Sequence, residues 1–164
     1  MRRFAGLVVA GTLIVGAAPG GAAPSPASRD HVAGRATHLG ADPPFPRITV
    51  LINASSDGDG SNPRGTLTLR SADIGQRRHG EVTCLNVQGN TATVGIRIVS
   101  AEDPSAIGRG ELFKVVDNGD SGDQIAGYAL TETPPTECPP LPFSVSVVSG
   151  NYRITDEVRK TGES

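Results

Sequence analysis

Residues 117–123 read Asp-Asn-Gly-Asp-Ser-Gly-Asp, three carboxylates and one serine within seven positions. Two chemistries use such residues. A serine flanked as Gly119-Asp120-Ser121-Gly122 could act as a nucleophile, provided a histidine base and an orienting acid stand beside it. The oxygens of Asp117, Asn118, Asp120 and Asp123 could instead hold calcium, which takes roughly six to eight oxygen ligands. A third reading involves no ligand. Asn-Gly is a strong turn signal, and aspartate side chains cap nearby backbone amides. A loop joining two strands accounts for every residue type in the segment, and that is the expectation.

The nucleophile reading lacks support elsewhere in the chain. Proteases that carry G-D-S-G continue with a second glycine, where this chain has Asp123. A hydrolase would have to recruit Ser121, Asp117, Asp120 and His79, yet His79 lies far away in "QRRHG", which reads as a solvated turn. Arg77-Arg78-His79 could form a small anion patch, but the turn is the simpler expectation. His31 and His38 fall in a segment read below as an unstructured leader. The chain is therefore expected not to be an enzyme, with calcium the one cofactor the acidic loop could take. A second acidic run, Asp57-x-Asp59, opens like an EF-hand loop. It then places Asn62 where the turn glycine belongs and Thr68 where the bidentate glutamate belongs, so an EF-hand is excluded.

The elements that would position these residues are short strands. Arg2 and Arg3 precede an apolar run from Phe4 to about Ala17, and small residues follow to Ala27. A bilayer-spanning helix needs roughly 20 apolar residues. The pattern is that of a secretory signal peptide, residues 1–22, with cleavage as late as 27 as the second option. Residues 23–46 show no periodicity and read as a flexible Pro/Ala/Gly leader. A β domain is expected over 47–156 and a polar tail over 157–164. Removing residues 1–22 takes away two arginines and no acid, leaving 13 basic against 17 acidic side chains, net −4. With no linear cluster of Lys and Arg, nucleic-acid binding is not expected. The few aromatics are expected mostly in the core, and no membrane span remains after cleavage.

Eight strand candidates lie at 47–53, 65–70, 80–88, 91–100, 111–116, 124–131, 143–149 and 151–156. This is an all-β pattern, a single antiparallel sandwich or barrel. Gly89-Asn90 and Gly150-Asn151 each read as two-residue hairpin turns, which need positive φ. The first turn sets a register in which Val87 faces Ala92, Leu85 faces Val94 and Thr83 faces Ile96. It also puts Cys84 opposite Gly95 on the outer face. In an exported chain the two cysteines, Cys84 and Cys138, are expected to form one disulfide. Two cysteines with no nearby histidine cannot make a tetrahedral zinc site. Cys138 lies in "TETPPTECPPLP", where proline removes backbone donors, so this stretch is expected to be a strap tied across the outer face.

"GEVTCLNVQGNTATVG", "LFKVVDNGDSGDQ", a cysteine among prolines and "VSGNYRITD" follow one another in this order. In this the chain resembles a group of small exported proteins common in actinobacteria, over roughly Gly65 to Asp156. The resemblance implies an exported all-β domain and no particular activity. Many members carry proline or another small residue where Asp120 stands here. The functional expectation is a secreted, extracellular, non-enzymatic binding or surface-associated module, whose partner is a cell-envelope or extracellular protein or glycan.

Overall fold

The computed structural model describes residues 29–157. Eight strands follow in chain order: β1 (Arg29–Leu39), β2 (Arg47–Asp57), β3 (Arg64–Ser71), β4 (Gln76–Gln88), β5 (Thr91–Ala101), β6 (Gly110–Val116), β7 (Gln124–Gly127) and β8 (Val145–Thr155). Each pairs antiparallel with the next, and β8 pairs back onto β1, so the sheet closes into a barrel. Closure pairs the sheet edges except along the β7–β8 seam, where the ladder is only two register positions long. An eight-stranded barrel has an interior just wide enough for side chains to fill. Here Val32, Val50, Ile52, Leu67, Val94, Ile96, Ile98, Phe113, Val115, Ile125 and Tyr152 fill it, all essentially without exposure. The barrel has a hairpin end, where Gly89-Asn90 joins β4 to β5, and an opposite end, the mouth, where β1 runs into β2.

Several expectations need correction. Residues 29–39, read as part of the leader, form β1, so the domain begins before residue 47. Their inward positions are Asp30, Val32, Gly34, Ala36 and His38, a row with a single large aliphatic side chain. β2 and β8 hold this strand from both sides. The expected signal peptide and the tail from 158 onward lie outside the described residues. Gly150-Asn151 does not turn a hairpin. Residues 145–155 are one strand, and Gly150, at φ 87°, is a kink inside it. The positive φ was legible, but β1 was available to pair with both halves of the strand. A Cβ at Gly150 would also run into the Arg35 carbonyl of β1. The segment 124–131 is a strand only to Gly127, after which Thr131 alone bridges to Gly110. Arg77-Arg78-His79 is not a turn but the start of β4. Among the described residues only Phe113 and Tyr152 of the aromatics are in the core, while Phe45 and Phe143 are exposed.

The Gly89-Asn90 hairpin has the expected register through Val87↔Ala92, Leu85↔Val94 and Cys84↔Gly95. A bulge then leaves Thr83 unpaired and sets Val82 opposite Ile96. Thr83 is freed to donate its hydroxyl to the Pro135 carbonyl at 2.7 Å. Cys84 and Cys138 form the disulfide, with Cα atoms 5.7 Å apart. The proline-rich strap lies over the outer wall of β4, β5 and β6. A Cβ at Gly95 would stand only 2.7 Å from Pro135 Cγ, so this glycine is what lets the strap lie close. Asn86 ties it further by donating to the Cys138 carbonyl at 3.0 Å.

Candidate functional site

The acidic loop joins β6 to β7 at the hairpin end, and its hydrogen bonds show what its residues do there. The β7–β8 ladder is only two register positions long, Gln124↔Ser146 and Ile125↔Val145. Beyond it the amides of β8 need other acceptors. Asp123 Oδ2 accepts the Tyr152 N–H, and Asp117 Oδ2 accepts the Ile154 N–H at 3.0 Å. The Asp123 carbonyl accepts the Val147 N–H at 3.0 Å. The other oxygens cap the loop itself: Asp123 Oδ1 accepts from Asn118 N at 3.0 Å and Asp117 Oδ1 from Gly119 N at 3.1 Å. Two aspartates thus stand in for the strand that β7 is too short to supply. Asp120 and Ser121 are exposed on the 3-10 turn between them.

The calcium reading has to be weighed against these bonds. Asn118 accepts from Asn90 with its side-chain oxygen and donates to the Gly122 carbonyl. Among the described residues no group of three acidic, histidine or cysteine side chains is placed to hold a metal ion. Because Asp117 and Asp123 already accept backbone amides with both oxygens, the melting temperature is expected to be the same in millimolar calcium and in excess chelator. A rise in calcium that disappears in D120A would restore the ion site. Asp57 and Asp59 likewise serve their own turn, taking Asn62 Nδ2 at 2.7 Å and Ser61 N at 2.9 Å.

Ser121 and His79 are not brought together. His79 sits nine residues before the Gln88 end of β4, on the order of 30 Å away at ~3.4 Å per residue. Its Nδ1 lies 2.9 Å from Thr68 Oγ1. His31 Nε2 lies 3.3 Å from Asn53 Oδ1 on β2.

The structure draws attention to the mouth instead. A cavity of about 170 Å³ opens there, lined among others by His38, Ile48, Leu69, Arg78, Glu111, Phe113, Tyr128 and Phe143. Tyr128 and Phe143 come from the β7–β8 connection, and their rings lie 4.9 Å apart. The Tyr128 hydroxyl donates to the Phe143 carbonyl at 2.7 Å, which holds the pair in place. Phe143 is 59% exposed, so an apolar ring sits at the rim facing water. Below it Arg78 reaches both Glu111 oxygens, at 3.1 and 3.0 Å. Burial holds the Glu111 carboxyl above its ordinary value, and the Arg78 guanidinium opposes that shift.

His38 faces the same cavity from β1. It is buried, and its Nδ1 has no hydrogen-bond partner. An unpaired buried polar atom is rare enough to need an explanation. Burial pushes the imidazole below its ordinary value of 6.5, which keeps the ring neutral. A group with a depressed folded-state pKa contributes stability above the unfolded value and loses it as pH falls through the folded value. The parent is therefore expected to lose stability as pH drops below about 6.5, and H38Q to lose less. Urea unfolding of both proteins at pH 7.5 and 5.5 checks this, because the difference between them cancels the titration of Glu111 and Asp30. Equal losses would overturn it.

No known protein family, curated protein or solved structure matches this chain. The mouth has to be read from its own residues. His38 falls in the expected leader and Arg78 in an expected turn, so neither stands out in the sequence as a site residue. The expected place of the aromatics is the core, not a rim. One signal was available. "ELFKVV" alternates so that Glu111 shares a face with Phe113 and Val115, and an acid on an inward face implies a buried partner.

Proposed function

We propose that this chain is an exported, non-enzymatic binding module whose barrel mouth takes an apolar group about the size of benzene carrying one hydrogen-bonding atom. The observation that carries the reading is a cavity that brings the buried His38 ring and the Arg78–Glu111 pair under a rim of Tyr128 and Phe143. Barrel mouths are common ligand sites, apolar with a few convergent polar groups. A dry cavity of ~150 Å³ is large enough for benzene, and this one is about 170 Å³. His38 Nδ1 is closed off in the unliganded mouth, so the neutral imidazole would turn to bond the ligand's polar atom, and the Arg78–Glu111 pair would fix that atom's orientation. Export is supported by the N-terminal apolar run, by the disulfide and by the resemblance to exported actinobacterial proteins. An extracellular protein or glycan bearing such a group could equally be the source of the occupant.

The test is a thermal-shift titration of the oxidised protein with phenol, indole and benzamide, with benzene as the apolar reference. A ligand of the mouth should raise the melting temperature by mass action. It should be favoured over benzene in the parent and lose that advantage in H38L. F143S should leave the unliganded melt unchanged, because the ring is mostly exposed. It should weaken binding about tenfold, or ~1.4 kcal/mol. No shift with any of the three, or a shift indifferent to both substitutions, would sink the reading.

A further inference from the structure

The outer wall carries a second, unrelated feature. The strap covers β4, β5 and β6, while the wall from β8 through β1 and β2 to β3 stays open. On that wall lies a cleft of about 580 Å³, lined by Arg35, Arg47, Arg70, Thr37, Thr49 and Leu51 among others. Its residues come from neighbouring strands in register. Thr37 pairs with Thr49, Thr49 with Arg70, and Arg70 with Arg77 on β4. Arg153 of β8 sits opposite Ala33, two residues along β1 from Arg35. With strands ~4.8 Å apart and ~3.4 Å per residue, neighbouring guanidinium stems stand on the order of 5–12 Å from one another. Arg35, Arg47, Arg70, Arg77 and Arg153 are all exposed.

These arginines have no carboxylate partners among the described residues. The ion pairs there involve Arg78, Arg97 and Arg109. The one acid lining the cleft, Asp73, accepts the Arg47 backbone N–H at 2.7 Å. Arg70 and Arg77 face each other directly across β3 and β4, an arrangement that destabilises a sheet. A local conflict of this kind is expected where a surface is built for a ligand rather than for stability. Bulk charge does not explain it, because the chain is net −2.

We infer that this cleft is a binding surface for an anionic polysaccharide. Arginine forks pair bidentately with carboxylate, sulfate or phosphate groups. The hydroxyls of Thr37 and Thr49, 2.8 Å apart, can both donate to and accept from sugar hydroxyls. The cleft lining contains no aromatic ring, which removes the stacking platform that single-stranded nucleic acids use. Leu51 is the only large apolar side chain in it, too little to anchor the face in a lipid surface. This site is independent of the mouth, and either can fail without the other.

The test measures binding of the oxidised full chain to alginate and to dextran sulfate, which separate carboxylate from sulfate as the anion source. Neutral dextran is the control. Binding to at least one anionic glycan is expected at about 50 mM salt, weakening steeply towards about 200 mM. R35A/R70A should weaken it at least tenfold and reduce the slope of log affinity against log salt by about two. R35K/R70K keeps the charge but not the fork, so it should fall between the parent and R35A/R70A with the parent's salt slope, and R97A should behave as the parent. Single variants R35Q and R70Q should each show a smaller loss, which keeps the test decisive if the double variant melts early. The inference is overturned by absence of binding to both anionic glycans at low salt. It is equally overturned by undiminished binding in the folded arginine variants. Tighter binding to single-stranded DNA or to anionic lipid vesicles than to either glycan would also overturn it.

Discussion

Reduction of the Cys84–Cys138 disulfide is expected to lower the melting temperature by on the order of 10 °C. The bond closes a loop of 54 residues, for which the chain-entropy model gives roughly 4 kcal/mol. For a domain of this size each kcal/mol moves the melt by about 3 °C. The native-state side of the argument points the same way. Between Thr131 and the start of β8 the strap has no ladder of its own, and it is tied to β4 chiefly by Thr83, Asn86 and the disulfide. Releasing it uncovers Gly95 and Thr93, both buried beneath it. The check is a melt with and without reductant, with loss of the bond confirmed by mass, and in C84A/C138A. An unchanged melt in the confirmed dithiol would refute the account.

Asp123→Ala is the point substitution with the largest expected effect, about 3–5 kcal/mol. Asp123 is 4% exposed, and its carboxylate accepts two backbone amides, Asn118 N and Tyr152 N. Hydrogen bonds to a charged acceptor are worth ~1.5–3 kcal/mol each, and an amide left unsatisfied in the interior carries its own penalty. Asp123→Asn keeps the shape but has a single acceptor oxygen, so it should fall between the parent and Asp123→Ala. Urea unfolding at neutral pH measures all three. A loss below about 1 kcal/mol for Asp123→Ala would mean that the β7–β8 seam does not depend on this loop.

How much was legible in the sequence depended on where each signal resides. The Gly89-Asn90 hairpin was readable because alternation on both flanks agrees with the turn, so a one-residue slip would have broken it. The same kind of dipeptide misled at Gly150-Asn151. Positive φ suits a turn and a kink within a strand equally, and local chemistry does not say whether a neighbour waits to pair. β1 was invisible for a related reason. Asp30, Gly34, Ala36 and His38 make a poor apolar stripe, and the segment is a strand because β2 and β8 flank it. The disulfide and its glycine partner were legible, since both follow from the hairpin register. The mouth was not, because its residues come from opposite ends of the chain. The arginine face was hidden by the same geometry. With about one exposed arginine per strand no linear cluster forms, and the basic surface exists only once the strands lie side by side.

The pairing of β1 with β8 fixes how the molecule would be displayed. Arg29 opens β1 and Thr155 closes β8 at the hairpin end, and the mouth is at the other. A tether joined just before Arg29 or just after Thr155 therefore holds the barrel by its base, with the mouth aimed away from the anchor and the arginine wall standing alongside it. Fusion to a bead, a phage coat or a larger scaffold at either of these points should leave both surfaces clear. An inserted tag in the β1–β2 connection would cap the opening.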